Sequence, residues 1–164
     1  MRLYHASLVP NLTTLIPKRP VHFLTKHLLE EGKTKRISFA PSIKSCLRGV
    51  NASKGKTYYI YEPTSISDKY LYNPTREEVP DVGLTNEYWY LRPVNVRLVA
   101  VVKAGKIINP KVFYFDPYAS VFAVSNGREY ETIKRYRNGK EVRLRGKKDG
   151  LFETSFSKAF RKKR

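Results

Sequence analysis

The sequence predicts an α+β domain built on a mainly antiparallel, strongly bent or split sheet, with two short helices near the N-terminus. Three observations lead there. Short runs rich in Val, Ile, Tyr and Phe recur along the chain, with twelve Tyr and eight Phe in 164 residues, and such side chains suit half-buried pleated surfaces. Apolar residues at helical spacing occur only in two early segments. Near the C-terminus an Asn-Gly pair joins two strand-like runs, which marks a tight hairpin. Strands with two early helices, followed mostly by strands, form the α+β pattern.

The elements follow in order. Leu3 to Ala6 reads as a short strand, and Ser7 to Pro20 as a loop carrying three prolines, which interrupt regular ladders. Phe23, Leu24, His27 and Leu28 place one or two helical turns within His22 to Leu29, ended by Gly32. Arg36 to Ala40 reads as a strand. Pro41 suits the first turn of a helix, and Ile43, Cys46, Leu47 and Val50 repeat at helical spacing behind it. Thr57 to Glu62 is a strand. Pro63 to Asn86, with three prolines and a glycine, reads as one long loop, a length that is uncommon without a function. Glu87 to Leu91 and Val94 to Val102 are strands, and the near-continuous Val and Leu of the second imply burial on both faces. After Gly105, Lys106 to Ile108 and Val112 to Phe115 read as separate short strands, and Tyr118 to Val124 is ambiguous. Arg128 to Arg137 then pairs with Lys140 to Arg145 across Asn138-Gly139. Both faces of Arg128 to Arg137 are polar, which suits a projecting arm; an ordinary edge hairpin, protected by its cations, is the alternative. Residues 1–157 form a single domain with a basic hairpin at about 126–150, and residues 158–164 a basic tail.

Charge narrows the function. There are 32 Lys and Arg against 14 Asp and Glu, a formal net charge of +18. Such self-repulsion works against the compact state, and the usual reason to tolerate it is a polyanionic partner. From Asn126 to Arg164 there are 14 basic and 5 acidic residues, so this stretch holds +9, half the total. The partner implied is nucleic acid, DNA or RNA, or a nucleic-acid-associated protein. Its contacts would come from Arg135, Arg137, Lys140, Arg143, Arg145, Lys147 and Lys148 around the hairpin and from Arg161, Lys162, Lys163 and Arg164 in the tail, which could also be a solvated end.

Other chemistries are excluded by what the sequence lacks. It has no glycine-rich dinucleotide or phosphate loop. Its three histidines have no metal-site spacing, and no paired-carboxylate motif stands out, so no metal is expected. No apolar run approaches the roughly 20 residues of a membrane span, so no membrane association is expected. The lone Cys46 fits a reducing, cytoplasmic setting and a core position better than a catalytic thiol.

Three segments stand out together: Leu3-Tyr4-His5-Ala6-Ser7, the strand-then-helix segment Ile37-Ser38-Phe39-Ala40-Pro41-Ser42, and Glu87-Tyr88-Trp89-Tyr90 after the long loop. In their order and position they resemble the ADP-ribosyltransferase fold family, over about residues 1–103. Ala6 stands where the family has Gly, and Phe39-Ala40-Pro41 replaces its usual second motif. The resemblance implies an enzyme that uses NAD, with His5 and Glu87 catalytic. His5 would hydrogen-bond the nicotinamide-side ribose, with Ser7, Ser38 and Ser42 lining the same pocket. Glu87 would hold the ribose 2′-hydroxyl and stabilise positive charge on the sugar. The loop before Glu87 would recognise the acceptor. A small basic protein of this kind acting on or near nucleic acid also fits a bacteriophage or mobile-element product. The alternative is a non-enzymatic nucleic-acid-binding or inhibitor protein on a degenerate transferase-like fold. On that reading His5 is a structural histidine, Glu87 a solvated charge, and Ser38 and Ser42 helix caps.

Overall fold

The computed structural model describes residues 1–20, 32–50, 55–79, 82–107, 128–143 and 150–152. In chain order these form β1 (His5–Ser7), β2 (Thr14–Leu15), β3 (Ile37–Phe39), α1 (Ile43–Gly49), β4 (Thr57–Pro63), a 3-10 turn (Asp68–Tyr70), β5 (Leu71–Tyr72), α2 (Val82–Thr85), β6 (Tyr88–Tyr90), β7 (Val94–Ile107), β8 (Arg128–Arg137), β9 (Lys140–Val142) and β10 (Gly150–Phe152). The architecture is α+β and every strand pairing is antiparallel. The strands form two sheets. The larger runs β1-β4-β7-β8-β10, with β2 also on β7 and β9 also on β8; the smaller runs β3-β6-β5. They meet where Tyr4 and Ala40 exchange backbone hydrogen bonds of 2.8 and 2.9 Å.

One irregularity sets the layering. Along β4 and β7, Ile60 pairs with Ala100 but Tyr61 pairs with Leu98, so Val99 is an extra residue bulged from β7. A bulge of one residue reverses which side the even-numbered side chains take. Val94 and Val96 therefore pack with Leu3, Leu15, Ile37, Phe39, Tyr61 and Tyr90, between the two sheets. Ala100, Val102 and Ala104 pack on the opposite face with Ala6, Ala40, Cys46, Leu47, Tyr58 and Ile60, beneath α1. The burial of β7 on both faces expected from its composition holds only around Leu98–Val102; Asn95, Arg97 and Lys103 are exposed, so each half of the strand covers one core and faces outward on its other side.

Several expectations need correction. The segment between Pro63 and Asn86 is not one loop: it carries the 3-10 turn, β5 and α2. Two-residue and four-residue elements are too short to leave a periodic pattern. Lys106 does not open a new strand, because β7 runs through Gly105 to Ile107. β8 is not a projecting arm. It lies inside the large sheet, with β7 on one side and β9 and β10 on the other. Backbone hydrogen bonding on both edges holds it there despite polar side chains, and Thr132 is buried within it. The Asn-Gly turn is as expected, with φ of 50° at Asn138 and 75° at Gly139. The second expected helix is α1. The first, at His22 to Leu29, lies wholly outside the described residues, as do Val112 to Phe115 and Tyr118 to Val124.

The bulge makes a test. Deleting Val99 closes the bulge with Leu98 still on Tyr61 and Ala100 still on Ile60, so each half of β7 keeps its face. The expected result is retained cooperative thermal unfolding, whereas inserting one residue after Val96 turns Val94 and Val96 away from their core and is expected to abolish it. Val99→Ala keeps the register and is expected to cost only about 1–2 kcal/mol in a urea titration.

Candidate functional site

The site is built where the two sheets meet. His5 follows Tyr4 on β1, and Ser38 lies two residues before Ala40 on β3, so the Tyr4–Ala40 bridge brings them side by side. The His5 ring hydrogen-bonds the Ser38 carbonyl through Nδ1 at 2.9 Å and stands edge-on to Phe39, 6.1 Å between ring centroids. A carbonyl only accepts, so Nδ1 carries the proton and the neutral ring keeps its Nε2 lone pair. Burial lowers the His5 pKa from 6.5, and the Ser38 carbonyl partly offsets this.

Glu87 arrives from the other direction. Asn86 adopts a left-handed φ of 48° and its N–H closes the α2 turn on Val82 O at 2.7 Å. Asn tolerates that conformation better than most residues, so it ends α2 and turns the chain into β6. The Glu87 carboxylate then meets two donors on one oxygen: Ser38 Oγ donates to Oε1 at 2.5 Å and Trp89 Nε1 donates to the same atom at 2.7 Å. Ser38 pairs with Trp89 across β3 and β6, so both donors rise from one face of the small sheet. Bonds to an ionised carboxylate are about twice as strong as neutral ones, so this orientation is firmly held.

Trp89 is itself fixed. It is 1% exposed; the Arg36 guanidinium lies 3.9 Å from its ring centroid and the Tyr72 ring 5.6 Å from it. The Tyr72 hydroxyl in turn donates to the Glu78 carboxylate, at 2.8 and 2.9 Å to its two oxygens. The sequence showed Trp89 only as part of the segment Glu87-Tyr88-Trp89-Tyr90, with no role of its own, and did not single out Arg36. The available signal was alternation: Glu87 and Trp89, like Arg36 and Ser38, are two apart in extended chain and share a face.

Ser38 thus links residues 82 apart in sequence, its carbonyl bonded to His5 and its hydroxyl to Glu87, with His5 on the Phe39 side of the strand and Glu87 on the side of the Ser38 hydroxyl. The other two serines are engaged locally. Ser7 Oγ accepts from Val9 N–H at 3.0 Å. Ser42 caps α1, accepting from Ser45 N–H at 3.1 Å and donating to Ser45 Oγ at 3.0 Å. The methyl of Ala6 is buried in the cluster beneath α1. Cys46 is buried beside it; burial pushes its thiol pKa well up, a hydrogen bond with the Ala6 backbone opposes this, and the Glu87 charge adds to it. A neutral buried thiol is no nucleophile, so Cys46 is a core residue. A separate cavity of about 310 Å³ lies among Arg2, Leu3, Glu62, Thr64, Asp68 and Leu71, and none of the three site residues lines it.

Of the cations expected to meet nucleic acid, Arg137, Lys140 and Arg143 are exposed and Arg135 is half-buried. Arg145, Lys147, Lys148, Arg161, Lys162, Lys163 and Arg164 lie outside the described residues. Among the described residues no helix is long and apolar enough to cross a membrane.

Two measurements test the geometry. Ser38→Ala and Trp89→Phe are each expected to cost about 1.5–3 kcal/mol in urea unfolding, because each removes a donor to a carboxylate. Their double variant is expected to be non-additive, since both act on Oε1. The lowered His5 pKa means that the unfolded chain binds the proton first as pH falls. The stabilisation is therefore full above pH 6.5 and is lost as pH drops through that value toward the lower folded midpoint. An NMR titration should give a His5 midpoint below 6.5, and Tm should fall with acid less steeply in His5→Gln.

Comparison with family models, with curated proteins and with solved structures finds no match to any of the three.

Proposed function

We propose that the chain is an NAD-dependent ADP-ribosyltransferase-like enzyme acting on or near nucleic acid. The observation that carries this reading is the double anchoring of Glu87 Oε1 by Ser38 and Trp89, with His5 bonded to the same Ser38 through its carbonyl. A solvated surface carboxylate has no need of two fixed donors on one oxygen. A carboxylate meant to face a developing positive charge does, because preorganised charge costs no reorientation during reaction.

The residues suit NAD by their donor set. Glu87 offers an oriented acceptor for a ribose hydroxyl and a negative charge to favour a cationic sugar. His5 offers Nε2 as an acceptor for a second hydroxyl while Nδ1 stays on the Ser38 carbonyl. The Ala6 methyl, which departs from the family's glycine, is taken up in the core beneath α1 and demands no space beside His5. Ser38 acts through Glu87. The Ser7 and Ser42 hydroxyls are engaged in a turn and a helix cap, which leaves the contacts to NAD with His5 and Glu87. NAD, when bound, supplies a sugar carbon whose bond to nicotinamide breaks with the electron pair going to the ring nitrogen, while the acceptor bonds to that carbon and gives up a proton.

Calorimetry with NAD and a nicotinamide-release assay test the reading. Glu87→Gln is expected to lower NAD turnover by about 10²–10³ while leaving NAD affinity within a few-fold, and His5→Ala to weaken binding itself. Failure of the wild-type chain to bind NAD at millimolar concentration would overturn the enzyme reading and leave the non-enzymatic nucleic-acid binder.

A further inference from the structure

The small sheet buries a positive charge beside the candidate site. Arg36 lies two residues before Ser38 and shares its face of the chain, and Ser38 pairs with Trp89 across β3 and β6. The Arg36 backbone is pinned to Lys18, its N–H donating to the Lys18 carbonyl at 3.0 Å and its carbonyl accepting from the Lys18 N–H at 3.1 Å. From there the side chain runs over the indole. The guanidinium carbon stands 3.9 Å from the ring centroid, and the residue is 5% exposed.

A guanidinium is a costly cover for an indole. Taking a charge out of water is penalised, and an aliphatic side chain of similar length would seal the ring without that penalty. What the guanidinium adds is its charge. A cation over an aromatic face is attracted by the ring's π electrons and draws them toward itself. The ring edge then becomes more positive, and the indole N–H lies on that edge. Polar groups in series strengthen one another most where water is excluded, and Trp89 is buried.

The N–H affected is the one that holds Glu87. Trp89 Nε1 donates to Glu87 Oε1 at 2.7 Å. Cation, indole and carboxylate therefore stand in series, one contact apart. The other donor to that oxygen is the Ser38 hydroxyl, which can rotate. The indole N–H is fixed in the plane of a buried ring, so it sets the direction of the carboxylate. Arg92 makes a looser contact of the same type with Tyr70, 5.1 Å from the ring centroid. Arg92 is exposed, and Tyr70 packs on the core between the sheets, away from Glu87.

We infer that Arg36 is a positioning residue whose charge, acting through the Trp89 N–H, sets the Glu87 carboxylate. As a contribution to NAD chemistry this rests on the transferase reading above; as a property of the Glu87 anchor it stands apart from it.

The chain has one tryptophan, so the indole N–H gives a single proton resonance by NMR. The resonance is read in the full chain, in Arg36→Met, in Glu87→Gln and in the double variant. Arg36→Met is expected to move it upfield, and by more when Glu87 is present than in the Glu87→Gln background. The direct effect of the cation on the ring is common to both backgrounds and cancels. Equal shifts in the two would overturn the inference. In a nicotinamide-release assay, Arg36→Met is expected to lower kcat about tenfold, less than the 10²–10³ of losing a donor outright, with KM for NAD within about twofold. In a Trp89→Phe background the same substitution should cause no further loss, because the N–H it acts through is gone. Additive losses would also overturn the inference. Arg36→Lys keeps a cation without the flat guanidinium; it should change both readouts in the same direction by less, and it replaces Arg36→Met if that variant does not fold. Arg92→Lys should change neither. A wild-type chain that cleaves no NAD removes the transferase reading, while the resonance cycle still decides whether Arg36 acts on Glu87.

Discussion

The structure depends on the register shift at Val99. Strand β7 is the hydrogen-bonded centre of the large sheet, and its even-numbered side chains would all fall on one face if the ladder were regular. One face cannot serve two cores. With the bulge, Val94 and Val96 meet the small sheet while Ala100, Val102 and Ala104 meet the underside of α1. The cost is one unpaired position in the ladder, and the return is apolar cover for both faces of a sheet that would otherwise expose one.

The same partition places the chemistry. Strand β1 pairs with β4 so that His5 lies opposite Tyr61 and Ala6 opposite Ile60, residues of different cores. His5 therefore faces the small sheet and reaches the Ser38 carbonyl, while Ala6 faces α1. Tyr61 also pins the chain beyond β1, donating to Val9 O at 2.8 Å and accepting from Leu12 N–H at 3.2 Å. On the small sheet, cross-strand stacking of Arg36, Trp89 and Tyr72 fixes the indole whose N–H holds Glu87. Buried rings and paired hydrogen bonds thus fix both ends of the site, which is the condition for a carboxylate to act without reorganising.

What the sequence revealed follows the strength of each local signal. Helix α1, strands β4 and β7 and the Asn138-Gly139 turn were legible because each has a long pattern or a strict backbone demand. β5 and α2 were not, having too few residues to carry a period. The interior position of β8 was hidden because strand pairing is satisfied by backbone groups, which polar side chains do not betray. His5, Ser38 and Glu87 stood out through the resemblance of their three segments to the transferase fold family, and the hydrogen bonds that join them through Ser38 were not legible. Trp89 was not, because its role lies in one N–H whose direction only the β3–β6 register reveals. Ser7 and Ser42 show the reverse: hydroxyls that suit a pocket in sequence are consumed by their own turn and helix cap.

Net charge on its own makes a polyanionic partner an expectation; sheet register says on which hairpin face the cations stand unmatched. Of the cationic side chains at the hairpin, Lys134 is matched by Glu141 on one face, while Arg137 and Lys140 oppose each other on the other. Folding alone would favour the matched arrangement on both faces. Among the described residues the mismatch has no acidic partner, so it costs some stability, and a bound anion would relieve it. It falls on the α1 side of the sheet, where the Ser38–Glu87 pair also lies.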